Sequence, residues 1–149
     1  MNGLRFELTI SLNVLEHLGI NLYSNVPSVL SETVANAWDA DAGLVKIDWD
    51  RANGRIVIED DGTGMTAREV NERFLKVGYR RRDEQPGRTQ KNRRPMGRKG
   101  IGKLSLFSIA GTVDIETVKE GEKSGFRMRL DDIRLEVAEQ CQSALKFDP

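Results

Sequence analysis

The 149-residue sequence predicts an α+β fold, a two-layer sandwich with a mostly antiparallel or mixed sheet and helices on one face. Three observations predict it. Short segments alternate polar and apolar residues with the strand period of two, longer ones carry apolar residues at helical spacing, and turn signals join neighbouring strands as hairpins. A doubly wound parallel sheet would need a helix between every pair of strands, and the order here does not supply it.

The elements follow in order. Arg5 to Leu12 alternates, with Phe6, Leu8, Ile10 and Leu12 on one side, as in a half-buried strand. Val14 to Leu18 reads as a short helix ended by Gly19. Asn25 and Pro27 open a helix that runs to Ala40, and Asp41-Ala42-Gly43 closes it. At ~100° per residue, Glu32, Asn36 and Asp39 form one narrow polar stripe on this helix, with Leu30, Val34, Ala37 and Trp38 roughly opposite. The apolar side is expected to face the core, and alone the stripe would be an ordinary solvated face.

Leu44 to Trp49 and Arg55 to Asp60 read as two strands joined through an Asn53-Gly54 turn. Thr66 is placed to cap a helix to about Lys76, with Val70, Phe74 and Val77 as its apolar positions. Tyr79 to Met96 lacks periodicity and reads as a long loop. A helix is expected from Ile101 to Ile109, strands over Val113–Val118 and Phe126–Leu130, and a last helix from Asp131 to Leu145.

Composition bounds the class. Hydrophobic content of 38% and charged content of 31% suit one globular domain with a real core. No apolar run approaches the roughly 18 residues of a membrane span, and the first residues lack the apolar block of a signal peptide. A single cysteine, Cys141, excludes an internal disulfide framework, and a cytoplasmic setting is expected. Basic and acidic residues balance at 23 each, so only their distribution is informative.

Two glycine motifs carry the chemistry. Glu59-Asp60-Asp61-Gly62-Thr63-Gly64-Met65 lies between a strand and a helix. Gly62-x-Gly64-x-x-Ala67 formally satisfies the dinucleotide fingerprint, but three successive acids would repel a pyrophosphate there. A carboxylate at the end of this strand is better suited to accept a hydrogen bond from a neutral donor such as the exocyclic amine of adenine. The glycines would then let the base approach the backbone. A plain tight turn is the other reading of the same residues.

The second motif, Gly97-Arg98-Lys99-Gly100-Ile101-Gly102-Lys103-Leu104, narrowly fails as a P-loop. Leu104 stands where a Ser or Thr must hold Mg²⁺, and Arg93-Arg94-Pro95 stands where a strand should precede it. It remains a glycine-rich turn opening a helix, which offers free backbone N–H groups to a phosphate chain. An adenine acceptor, a phosphate-binding helix start and a helix bearing an acid and an amide together fit nucleotide cleavage. Asn36 can then serve as a neutral oxygen ligand for Mg²⁺, and Glu32 can orient or deprotonate water.

At these residues the chain resembles the GHKL superfamily of gyrase, heat-shock chaperone, histidine kinases and MutL. The resemblance rests on Glu32-x3-Asn36-x2-Asp39-Ala40, Asp60-x-Gly62-x-Gly64-Met65 and Gly97-x2-Gly100-x-Gly102, in that order, and spans about Ser31 to Leu106. The wording GRKGIGKLSLF is similar to MORC-like and bacterial chaperone-like ATPases. The resemblance implies a Bergerat fold that binds ATP with Mg²⁺ beneath a flexible lid, here Tyr79 to Met96. It implies Glu32 as general base and Asn36 as Mg²⁺ ligand, with Asp39 and Ala40 beside them. Asp60, Gly62, Gly64 and Met65 would take the adenine end. Gly97, Lys99, Gly100, Ile101, Gly102 and Lys103 would take the phosphates. His17, the only histidine, does not read as a phospho-acceptor.

Two departures from the family stand out. Its Gly-Thr strand after the second glycine motif has no clear match beyond Gly111-Thr112 or Gly125-Phe126. Either that threonine contact is absent or the chain ends before the strand. The transducer domain with its phosphate-sensing lysine has no room in this length, so residues 1–149 are expected to be a fragment, an ATP-binding domain with slow turnover of its own.

Between Arg80 and Lys103 ten Lys or Arg residues face only Asp83 and Glu84. Such a run can serve the nucleotide's phosphates or bind a nucleic acid backbone, although few aromatics interleave for base stacking. Three functions are therefore expected in competition. One is an ATP-hydrolysing conformational or dimerisation switch, one a phosphotransferase of the histidine-kinase branch, and one a nucleic-acid-binding module with a degenerate site.

Overall fold

The structure is a computed structural model and describes residues 9–10, 25–77, 87–96 and 102–145. The helix expected over 14–18, most of the strand expected over 5–12, and residues 78–86 and 97–101 lie outside the described residues. The fold is α+β. Its strands are β1 (Thr9–Ile10), β2 (Val45–Asp50), β3 (Arg55–Asp60), β4 (Lys76–Val77), β5 (Thr112–Lys119) and β6 (Glu122–Arg129). Among the described residues they pair as two antiparallel hairpins, β2–β3 and β5–β6, and one parallel pair, β1–β4.

Helix α1 (Val26–Asp39) starts where the sequence signals it. The Asn25 side chain accepts from Ser28 N–H at 3.0 Å, satisfying one of the orphan donors of the first turn. Its far end is a Schellman motif: Ala42 N–H returns to Ala37 O at 3.0 Å and Asp41 N–H to Trp38 O at 3.0 Å. Asp41 takes the left-handed conformation there, at φ 60°.

The inward face of α1 differs from the expected one. Val29 and Ala37 are buried, whereas Val34 and Trp38 remain 41% and 39% exposed. Trp38 is instead held from outside, where Arg93 stacks on its ring at 4.4 Å and Arg94 O accepts its indole N–H at 3.0 Å. The inward side of α1 is thus turned toward the edge of the polar stripe. The helix packs there against a 3-10 helix, Gly102–Ser108, which replaces the longer α-helix expected over 101–109.

Loop 51–54 of the β2–β3 hairpin has four residues, longer than a bare Asn-Gly turn, and the Asn53 side-chain amide donates to Asp50 at 2.6 Å to brace it. Helix α2 begins with a complete capping box between Thr66 and Glu69 (Ala67–Glu69), then widens into a π turn, Val70–Phe74. The widening explains which residues are buried. A π turn brings residues five apart into line, so Val70 and Leu75 both point inward while Phe74 is only partly covered.

The main core lies between this π turn, the 3-10 helix, the β5–β6 hairpin and helix α3 (Leu130–Leu145). Val70, Leu75, Phe107, Met128 and Ile133 form its centre. Val113 and Ile115 of β5 face Met128 and Phe126 of β6 across the register. Toward the hairpin tip the same face turns polar with Thr117, Ser124, Lys119 and Glu122, and that polar end meets the start of α2. The tip itself is Glu120-Gly121, both at positive φ, as a two-residue hairpin requires.

Candidate functional site

Two residues of α1 and its C-cap set the site's axis. Glu32, Asn36 and Ala40 stand four apart, so they form one row along the helix, about 6 Å per step. Glu32 and Asn36 are both exposed. At the end of the row Ala40 O accepts Thr63 N–H at 2.8 Å. Gly62 sits so close that a Cβ there would lie 2.8 Å from Ala40 O and 2.9 Å from its Cβ. The first glycine turn is therefore seated on the last turn of α1, one helical turn past Asn36.

The three acids of that turn have separate tasks. Glu59 lies opposite Lys46 in the β2–β3 ladder. Asp60 is exposed at the strand end and accepts Gly62 N–H at 2.9 Å. Asp61 turns the other way, its Oδ1 accepting Gly43 N–H at 2.6 Å and Leu44 N–H at 2.8 Å. The Leu44 and Gly43 N–H groups hold the Asp61 carboxyl below its ordinary value, against a smaller opposing effect of burial. Asp61 thus ties the first glycine turn to the segment that follows α1.

The glycines serve the chain's own packing. Gly64 has φ +65°, and a Cβ on it would lie 2.0 Å from Val118 O of β5. On the Cβ side, Gly62 is closed by the Asp60 side chain and Ala40, and Gly64 by the backbone of Val118. On the β5 side Met65 N–H donates to Thr117 Oγ1 at 2.9 Å. Thr117, in the middle of β5 and preceded by Glu116, thus contacts the first glycine turn through the backbone of Met65.

On the opposite side of the α1 terminus a strap of residues 89–96 docks. Asp41, 4% exposed, accepts the Thr89 hydroxyl on Oδ1 and Lys91 N–H on Oδ2 at 3.1 Å. Lys91 Nζ donates to Asp41 O at 2.7 Å, and Arg93 donates to Ala42 O at 2.7 Å. Met96 N–H donates to Asp39 Oδ1 at 2.6 Å, so the carboxylate of Asp39 holds the strap here. Burial pushes the Asp41 carboxyl upward, but the Thr89 and Lys91 hydrogen bonds, with the charges of Arg93 and Lys91, together hold it below its ordinary value.

Of the residues expected at the site, Asp39, Ala40, Asp60, Gly62, Gly64 and Met65 lie at the end of α1 and on the turn seated there, with Asn36 one turn and Glu32 two turns earlier along the helix. Gly102 and Lys103 open the 3-10 helix packed on α1, whereas Gly97, Lys99, Gly100 and Ile101 lie outside the described residues. Asp60 lines a shallow cleft of about 140 Å³ with Leu44, Lys46, Glu59 and Asp61. Neither Glu32 nor Asn36 borders it. A cleft of about 210 Å³ lies on the Val34–Trp38 side of α1, away from the polar row. No group of three or more His, Cys, Asp or Glu is arranged to hold a metal among the described residues. A Mg²⁺ ion on Asn36 would therefore draw its other ligands from phosphate and water, which suits that ion's chemistry. Among the described residues neither Glu32 nor Asn36 spends its side chain on a protein partner, which leaves Asn36 able to hold the ion and Glu32 able to act on water.

Residues 40–44 and 61–64, locked together with Thr117 and the strap, were not legible as a unit in the sequence. Asp41 and Thr89 are 48 residues apart, and only the pairing of both with the α1 terminus makes them neighbours.

The polar row of α1 thus ends at a seated glycine turn, with the α+β core behind it. The chain belongs to the family described as histidine kinase-, DNA gyrase B-, and HSP90-like ATPase, whose profile matches residues 23–147. Over 133 residues it is 41% identical to a protein of Herpetosiphon aurantiacus named as a type II restriction enzyme, HgiDII, covering 89% of this chain and 21% of that protein. It is 31% identical over 146 residues to the chaperone protein HtpG of Pseudoalteromonas translucida, covering 83% of this chain and 22% of the chaperone. HtpG of Wigglesworthia glossinidia brevipalpis is 30% identical over 144 residues, with 80% and 22% covered. The chain thus spans about a fifth of the length of these relatives. Among the described residues no helix is long and apolar enough to cross a membrane.

Proposed function

We propose that the chain binds ATP and, with Mg²⁺, hydrolyses it, so that nucleotide state drives a conformational or dimerisation switch. One observation carries the reading: the Thr63–Ala40 hydrogen bond makes the Asp60 turn and the Glu32–Asn36 row parts of one rigid unit. Asp60 accepts the adenine amine through its carboxylate, with Gly62, Gly64 and Met65 fixing where that carboxylate stands. The backbone N–H groups from Gly97 to Gly102, with Lys99, Ile101 and Lys103, receive the phosphates. Mg²⁺, when bound, neutralises charge on the phosphate oxygens. Asn36 supplies its side-chain oxygen to the ion.

Glu32, about 6 Å along the row from Asn36, takes a proton from the attacking water. The water oxygen bonds the γ-phosphorus, the bond from that phosphorus to its bridging oxygen breaks, and ADP leaves with the electron pair. Lys91 and Arg93 donate to Asp41 O and Ala42 O, so these two cations serve the docking of the strap.

The test is a Glu32→Ala variant followed by calorimetry and phosphate release. ATP affinity should stay within about twofold while hydrolysis falls roughly 10²- to 10⁴-fold, the range of general-base loss. Equal turnover by both proteins would refute the assignment of Glu32.

A further inference from the structure

We propose that Thr117 is a positioning residue for the adenine end of the site, its hydroxyl fixing the backbone of Met65 where the first glycine turn meets β5. The inference rests on the ATP reading above, in which Met65 stands at that end.

The first argument is the cost of the hydroxyl. Residues 113, 115, 117 and 119 alternate on the less exposed face of β5, and Val113 and Ile115 pack there against the core. Thr117 continues that face opposite Ser124, which is 9% exposed. A polar group in such a place destabilises the fold unless it is hydrogen-bonded. Met65 N–H meets the Thr117 hydroxyl at 2.9 Å. The dependence is mutual. The cap of α2 takes Thr66 N–H and Glu69 N–H but stops short of Met65, whose N–H has no other acceptor among the described residues.

The second argument is how the turn is divided. Its first half is seated on the end of α1, through Thr63 N–H to Ala40 O and through Asp61 to the Gly43 and Leu44 amides. Gly64, at φ +65°, is the pivot beyond which the chain lies against β5. Its contact with Val118 is steric, since among the described residues no hydrogen bond joins the two. That contact limits how near the turn can come without directing the Met65 amide. The Met65 side chain rests on the edge of the core, where a flexible thioether can adapt its rotamer and leaves the backbone unfixed. Lys119 pairs with Glu69 at 2.8 Å, which holds the same end of β5 beside the α2 cap. Thr117 is thus presented on a fastened strand, and its hydroxyl alone directs the Met65 amide. β5 carries no residue of the proposed site and still sets the geometry of its adenine end.

The experiment compares wild type with Thr117→Val, which keeps the shape and removes the hydroxyl, and with Thr117→Ser, which keeps the hydroxyl. Adenosine and ATP, each with Mg²⁺, are titrated by calorimetry or ligand-observed NMR. Hydrogen exchange is followed at the Met65 amide, and the urea midpoint checks that each variant is folded. In Thr117→Val exchange at Met65 should rise. Both affinities should fall about fivefold, the size of one hydrogen bond between neutral groups. The ratio of the two affinities should not move, because the phosphate contacts are untouched. Thr117→Ser should restore exchange and both affinities to within about twofold of wild type. Unchanged affinities, unequal losses for adenosine and ATP, unchanged exchange, or no rescue by serine would each overturn the positioning role. Wild type binding neither ligand would overturn the ATP reading and this role with it. Wild type binding both with an unaltered Thr117→Val would overturn the role alone.

Discussion

Gly64 combines two constraints that each exclude a side chain. Its φ of +65° lies in the left-handed region, and the carbonyl of Val118 occupies the place of a Cβ. A Gly64→Ala change must therefore push β5 away from the turn and break the Met65–Thr117 bond. Its cost should be about 2–4 kcal/mol, summing conformational strain and overpacking, read from the shift of the urea midpoint. Gly54 provides the contrast, since its φ is also positive but no atom lies within 4 Å of a Cβ there. The Gly62-x-Gly64 spacing was legible in the sequence as a turn, but its cause was not. A glycine pattern reports that something comes close to the backbone, and only the fold reveals that Asp60, Ala40 and Val118 stand on the Cβ side. Asp61 was equally hidden, because three successive acids look alike until one of them finds the Gly43 and Leu44 amides.

Elements whose signals are local were read well. Asn25, Pro27 and the residues that close α1 bracket it to within a residue, and β3 matches its expected span, Arg55–Asp60. Capping chemistry acts over three or four residues, so the sequence carries it in full. Asn25→Ala should accordingly destabilise the protein by about 1 kcal/mol, while Asn25→Gly costs only a few tenths, a difference thermal melts at matched conditions would resolve. Elements shaped by distant partners were read less well. The face of α1 was misjudged because Trp38 answers to Arg93 and Arg94 instead of to the core. The π turn was missed because Val70 and Leu75 are both drawn into one core at a spacing that no α-helix offers. Thr117 was missed because its partner, Met65, lies 52 residues away.

Across the whole molecule the carboxylates set the response to acid. Asp41, Asp61, Glu69 and Asp114 are all held below their ordinary values. At Asp41 hydrogen bonds from Thr89 and Lys91 outweigh the upward push of burial. Asp61 is lowered by the Leu44 and Gly43 amides, Glu69 by Lys119, and Asp114 by Arg127. A group whose folded value is depressed binds fewer protons folded than unfolded, so it stabilises the fold above its unfolded value and loses that contribution as pH falls. These four groups should leave the urea midpoint flat from pH 7 to about 5 and lower it steadily below about pH 4, where free carboxylates begin to protonate. In Asp61→Asn the acid slope should be shallower than in wild type. An unchanged slope would show that the Gly43 and Leu44 amides add nothing.

The short segment from Trp38 to Leu44 is a foundation shared by the glycine turn on one side and the strap on the other, and this bears on how the domain can be divided. A chain severed inside 41–44 would leave neither piece with a finished seat for its neighbour. Cuts at the exposed tips 51–54 or Glu120–Gly121 separate only residues already at the end of a ladder. Two-fragment complementation with this domain should therefore succeed at those tips and fail at the helix terminus.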